Sequence, residues 1–118
     1  MKNPTKRERR KIERRNISFY LSIYDNATGK VIGHLVNISP IGLLLDAQAP
    51  ITVDQKYDLH LEFMEDVEGR ASLDITTICK WCKNDPVQPF VFNAGFEIQA
   101  LGPGDQEVIN AIAEKYGG

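Results

Sequence analysis

From Ile17 to Tyr24 the chain alternates, with Ile17, Phe19, Leu21 and Ile23 on one side and Ser18, Tyr20, Ser22 and Tyr24 on the other. Period two marks a half-buried strand. Asp25–Gly29 supplies turn residues, which predicts a hairpin into a second strand at Val31–Ile38. A short apolar run, Leu43–Asp46, predicts a third strand, and Ala47–Gln55 with Pro50 and Asp54 predicts a loop. Tyr57, Leu59, Leu61 and Phe63 then alternate with Asp58, His60 and Glu62, again at strand period. Met64–Arg70 is acidic, contains Gly69 and predicts a turn. Ala71–Lys83 predicts a long strand, Asn84–Pro89 breaks it, and Phe90–Ile98 predicts the last one. Gly95 inside that strand marks a bulge or a close approach.

The period changes at the C-terminus. Val108, Ile109, Ile112 and Tyr116 fall at helical spacing, and Asp105 serves as N-cap or as a first-turn acid. Many short strands followed by one helix predict a mainly β fold, an antiparallel barrel or sandwich capped by a helix. At 118 residues, 42% hydrophobic and 25% charged, the chain is expected to form one domain with an adequate core.

Charge changes the picture at the N-terminus. Residues 1–15 hold eight Lys/Arg against two Glu, a balance of +6. The rest holds six basic and fourteen acidic side chains, a balance of −8. Few apolar residues accompany the basic ones, so residues 1–15 are expected to form a flexible arm and 16–118 the folded body. A basic arm on an acidic body suits an anionic partner. No apolar signal region and no membrane-length apolar run is seen, and two cysteines fit a reducing compartment, so a cytoplasmic location without membrane insertion is expected.

Candidate chemistry narrows quickly. Cys79 and Cys82 have the spacing of a redox or zinc pair, but residues three apart in a regular strand face opposite ways. Cys79 and Trp81 should share the side of Ile75 and Thr77. His34 and His60 are isolated, Ser39 lacks a base, and no phosphate loop is present, so neither an enzyme nor a metal site nor a cofactor is expected. What remains is Asn37-Ile-Ser39-Pro-Ile-Gly42 at a strand seam. Asn offers a donor and an acceptor, Ser a rotatable hydroxyl, and Gly a close backbone approach, although the same residues also build plain turns. Upstream, Arg10 and Arg14 share a face whether the arm is helical or extended. Guanidinium groups grip phosphate and guanine bidentately and stack on aromatic faces, so the set suits a nucleotide.

Arg10-x-x-x-Arg14 followed by Asn37-x-Ser39-x-x-Gly42 resembles the RxxxR and (D/N)xSxxG motifs of the PilZ family of cyclic di-GMP receptors. The resemblance implies a small six- or seven-stranded antiparallel β-barrel with a C-terminal helix. It implies that Arg10 and Arg14 hold phosphate and guanine, that Asn37, Ser39 and Gly42 receive a guanine, and that Arg9 and Arg15 assist. It also implies a bacterial signalling role with a downstream protein effector. The arm's composition and its separation from the Asn37–Gly42 turn suggest that ligand bridging the two orders the arm. Two other readings stay open: a nucleic-acid-binding module using the basic arm, which the acidic body disfavours, and a PilZ-like adaptor that binds only protein.

Overall fold

A computed structural model of the chain describes residues 21–116, and residues 15–16 by their backbone. The expected arm, with Arg9, Arg10 and Arg14, lies outside the described residues, as do 17–20 of the first predicted strand. The strands are β1 (Arg15–Asn16), β2 (Ser22–Asp25), β3 (Lys30–Ser39), β4 (Gly42–Ala47), β5 (Lys56–Val67), β6 (Arg70–Asn84) and β7 (Phe92–Ala100), followed by helix α1 (Asp105–Tyr116).

All pairings are antiparallel, and the sheet closes on itself. Its order is β3-β2-β5-β6-β7-β4, with β4 pairing back to β3. This is the expected closed six-stranded barrel with one C-terminal helix; β1 is a short seventh strand on β3. Closure depends on the ten-residue β3 serving several neighbours. Residues 30–34 pair with β2, residues 34–39 pair with β4, and Asn37 and Ile38 also pair with Asn16 and Arg15 of β1. Register shifts between Ile23 and Tyr24 and between Leu35 and Asn37 bend the strands around this corner. The corner is tight: a Cβ on Gly33 would lie 2.5 Å from the carbonyl oxygen of Asp46.

The predicted alternation becomes the core. Leu21, Ile23, Leu35, Ile38, Leu43, Leu45, Leu59, Leu61, Leu73 and Ile75 point inward, and their polar neighbours point out. α1 closes one end of the barrel with Val108, Ile109 and Ile112, all fully buried; the Tyr116 side chain lies outside the described residues. Each such side chain contributes about 1.5–3 kcal/mol by leaving water. Asp105 anchors the helix as a first-turn acid. Its Oδ2 accepts the Gly102 N–H at 2.7 Å, and its Oδ1 accepts Arg70 Nη1 at 2.6 Å. Arg70 Nη2 also donates to the carbonyl of Pro103 at 2.8 Å, tying helix to barrel.

The structure corrects three local expectations. β5 continues through Met64–Asp66 to Val67, and the turn is only Glu68–Gly69, with φ of 50° and 79°. Met64, Glu65 and Asp66 are all exposed at an irregularity in the β5–β6 pairing, and the strand returns to the core at Val67. β7 starts at Phe92 rather than Phe90, because Asp85 builds the preceding loop: its Oδ1 accepts the N–H of Val87 at 2.8 Å and of Gln88 at 3.0 Å.

The third correction concerns β6. Cys79 pairs with Phe96 and Trp81 with Gly95, so the partner strand skips Lys80. This bulge inserts one extra residue and reverses the alternation beyond it. Trp81 therefore does not share the buried side of Ile75, Thr77 and Cys79; it is 40% exposed. Cys82 returns toward the core, where its Sγ accepts the Ile51 N–H at 3.4 Å. The two cysteines thus face the same side, not opposite ones. Burial first, and the neighbouring Cys82 second, push the Cys79 thiol up and keep it protonated. No cluster of three metal-ligating side chains occurs among the described residues.

Candidate ligand site on the outer wall of the barrel

Directly opposed residues of antiparallel strands project to the same face of the sheet. The register therefore lays out the site in two rows. The first runs Asn37, Leu44, Gly95, Trp81 across β3, β4, β7 and β6, with the Asn16 backbone paired beside Asn37. The second runs Ser39, Gly42, Glu97, Ile78 across β3, β4, β7 and β6. Their chain neighbours Ile38, Leu43, Leu45, Ala94 and Phe96 are buried in the core, so both rows lie on the outside of the barrel. Asn37, Ser39 and Gly42 thus fall on one face although the Leu35–Asn37 bulge separates them from regular β3 spacing.

Each of the three has a distinct condition. Asn37 is half-buried, and its Oδ1 is a buried acceptor with no hydrogen-bond partner among the described residues. Leaving such an oxygen unpaired costs about 1–3 kcal/mol. Ser39 is 2% exposed, and its Oγ accepts the Ile41 N–H at 3.4 Å across the two-residue Pro40–Ile41 turn. Gly42 opens β4 opposite Ser39 and contributes no side chain to the outer row. The Ile41 carbonyl accepts the Ile98 N–H at 2.9 Å, which fastens this turn to β7.

Beside the motif lies a cleft of about 280 Å³. Gly42 and Gly95 line it without side chains, Leu44 and Trp81 flank Gly95, and Ile41, Lys80 and Glu97 complete it. The Trp81 indole lies so close over Gly95 that a Cβ there would come within 2.2 Å of Nε1. This is the close approach expected at Gly95. Lys83 holds its ammonium 5.5 Å from the Trp81 ring centroid. Ile41, 52% exposed, and Trp81 leave apolar surface open to a flat ligand. A second cleft of about 380 Å³, between Val31, Ile32, Pro50, Ile51 and Tyr57, contains none of the motif residues.

The arm joins the sheet at this site. Backbone pairing sets Arg15 opposite Ile38 and Asn16 opposite Asn37. Arg14 directly precedes Arg15 in the chain. Arg9, Arg10 and Arg14 are not among the described residues, and Arg15 is placed by its backbone alone. α1 packs on β3 and also touches β1. Sequence reasoning missed Trp81, Lys80 and Glu97 as neighbours of the motif. The signal available was Gly95, a glycine inside a predicted strand.

The sequence matches the family model of the PilZ domain over residues 8–115. The chain belongs to the PilZ domain family. PilZ domains are ligand-binding and adaptor domains rather than enzymes. No curated protein matches the chain by sequence. Among solved structures, the Bacillus subtilis inhibitor of motility MotI/DgrA is similar in fold, with a TM-score of 0.68 at 16% identity. The match covers 90% of this chain and 50% of that one, so the chain spans about half the length of this neighbour. No helix among the described residues of this PilZ domain is long and apolar enough to cross a membrane.

Proposed function

We propose that this PilZ domain is a receptor for cyclic di-GMP. The observation that carries the reading is the buried Oδ1 of Asn37, without a hydrogen-bond partner among the described residues and beside the backbone of Arg15 and Asn16. A buried acceptor without a donor is costly in the free protein and is relieved by a ligand that brings N–H groups. A guanine does so. Asn37 accepts from the base, Ser39 offers its hydroxyl, and Gly42 leaves room for the ring. Trp81 gives the base an aromatic face, a contact worth about 1–3 kcal/mol per base. Arg10 and Arg14 hold phosphate and guanine, assisted by Arg9 and Arg15.

Ligand bridging the arm and the barrel wall orders the arm ahead of β1 and changes the surface offered to an effector protein. The contact of α1 with β1 supplies a second element that such ordering would reach. A calorimetric titration with cyclic di-GMP, with GTP as control, tests the reading. The expected result is saturable binding at micromolar or tighter affinity, absent for GTP and abolished by Arg14→Ala. Heat for neither ligand from a folded chain would leave an adaptor that binds protein only.

A further inference from the structure

Resting on that receptor reading, we infer that Lys80 and Glu97 together read the Watson–Crick edge of a guanine seated in the cleft beside Trp81. Lys80 is the extra residue of the β6 bulge, and Glu97 stands opposite Gly42 on β7. Both line the cleft that contains Gly42, Gly95 and Trp81. Their charged ends are 4.0 Å apart, with the side chains 50% and 55% exposed. Lys80 Nζ approaches Glu97 Oε1, the same oxygen that accepts Gln99 Nε2 at 3.0 Å. A carboxylate has a second oxygen and spare lone pairs, and an ammonium has three donors. An exposed pair at this separation contributes little to stability, so a ligand opens it at little cost.

The pair has the polarity of a guanine edge. Guanine presents an acceptor, O6, followed by two donors, N1–H and the N2 amino group. An ammonium beside a carboxylate complements that order, with Lys80 donating to O6 and Glu97 accepting from N1–H and N2–H. Adenine presents the reverse, a donor amino group followed by the N1 acceptor. Against Lys80 and Glu97 it would face donor with donor and acceptor with acceptor, an arrangement that penalises the wrong ligand. Trp81 and the two glycines are indifferent to base identity, because every base has a π face. Among the side chains lining this cleft, selectivity therefore falls to the charged pair.

The test is calorimetric titration of the wild-type chain, Glu97→Gln, and the charge-swapped double variant Lys80→Glu/Glu97→Lys, each with cyclic di-GMP and with cyclic di-AMP. Both positions are exposed strand sites, so thermal midpoints should match the wild type. The expected result is a wild type that prefers the guanine ligand and a Glu97→Gln chain weakened toward it about ten- to hundredfold, the scale of one bidentate base contact. The swapped chain should narrow or invert the preference. Wild-type binding of cyclic di-GMP that both variants retain undiminished would overturn this inference and leave the receptor reading standing. Absence of binding by the wild type would overturn both.

Discussion

Two outer faces of the same barrel treat their polar groups in opposite ways. On β2, β5 and β6, His60 stands between two carboxylates, with Nδ1 2.7 Å from Asp74 and Nε2 2.7 Å from Glu62. Asn26 donates to Asp74 at 3.0 Å, Thr76 donates to Asp58 at 3.1 Å, and Tyr24 meets the imidazole edge-on. On β3, β4, β7 and β6, the Asn37 Oδ1 is buried with no partner among the described residues, the Trp81 indole covers Gly95, and Ile41 and Trp81 stay open to water. The first face is complete as it stands. The second bears a desolvation cost and exposed apolar surface that stability alone does not explain. One buried acceptor without a partner among the described residues, beside a glycine-lined floor, is the feature on which the proposed ligand site rests.

The largest effect should come from filling that floor. In Gly95→Val, the new side chain occupies the position of the Trp81 indole, whose Nε1 would be 2.2 Å from even a Cβ. The indole is a surface ring and swings away, so the barrel stays folded. Losing both the slot and the stacking face should weaken cyclic di-GMP by about a hundredfold, the upper end of one stacking contact. Trp81 is the sole tryptophan in the chain, so its fluorescence reports the displacement directly. A shifted emission spectrum with undiminished ligand affinity would remove Trp81 from the site.

A smaller and more discriminating effect is expected at Asn37. Asn37→Ala deletes a buried acceptor that has no partner among the described residues. The variant should bind cyclic di-GMP about tenfold more weakly, the scale of one hydrogen bond to a base, while losing no stability or gaining up to about 1 kcal/mol. Urea unfolding set beside calorimetry reads both quantities. A clear loss of stability would mean that the Asn37 amide holds the β3–β4 corner together, and the contrast between the two faces would fail.

The alternation of apolar and polar side chains carried most of the fold because each strand buries one face, and burial fixes register. The contiguous motif Asn37–Gly42 was legible because its three chemical groups are neighbours in the chain. Trp81, Lys80 and Glu97 were not, since only the pairing of β6, β7 and β4 brings them to that motif. The bulge at Lys80 was the decisive hidden feature. It changed which side Trp81 and Cys82 face, and no residue type in Cys79–Cys82 announces it. β5 was underestimated for a related reason: Met64, Glu65 and Asp66 are three consecutive exposed residues that read as a loop, but the strand runs through them at an irregularity in its pairing with β6 and regains the core at Val67.

The smallest expected effect lies on the closed face and depends on pH. Hydrogen bonds to Glu62 first, and to Asp74 second, hold the His60 imidazolium above its ordinary pKa of 6.5, against a weaker opposing effect of burial. Raising the folded pKa above the unfolded one means that the charged form stabilises the fold. That contribution is complete below about pH 6.5 and fades as pH rises through the higher folded value. Asp74 has the opposite sign: its pKa is lowered, chiefly by the Asn26 hydrogen bond, so its contribution fades only in acid below the ordinary carboxylate range. The partners of His60 are well exposed, at 59% and 62%, which limits the gain to at most about 1 kcal/mol. Denaturant midpoints of the wild type and of His60→Gln should therefore differ most at about pH 5.5–6 and converge as pH rises through the raised folded pKa. Ligand affinity of the two chains should stay equal throughout, because none of these groups lies in the two rows that contain Asn37 and Trp81. Parallel stability curves would show that the two carboxylates leave the imidazole unperturbed. A change in affinity that follows the His60 titration would show that the two faces communicate through β6, the strand they share.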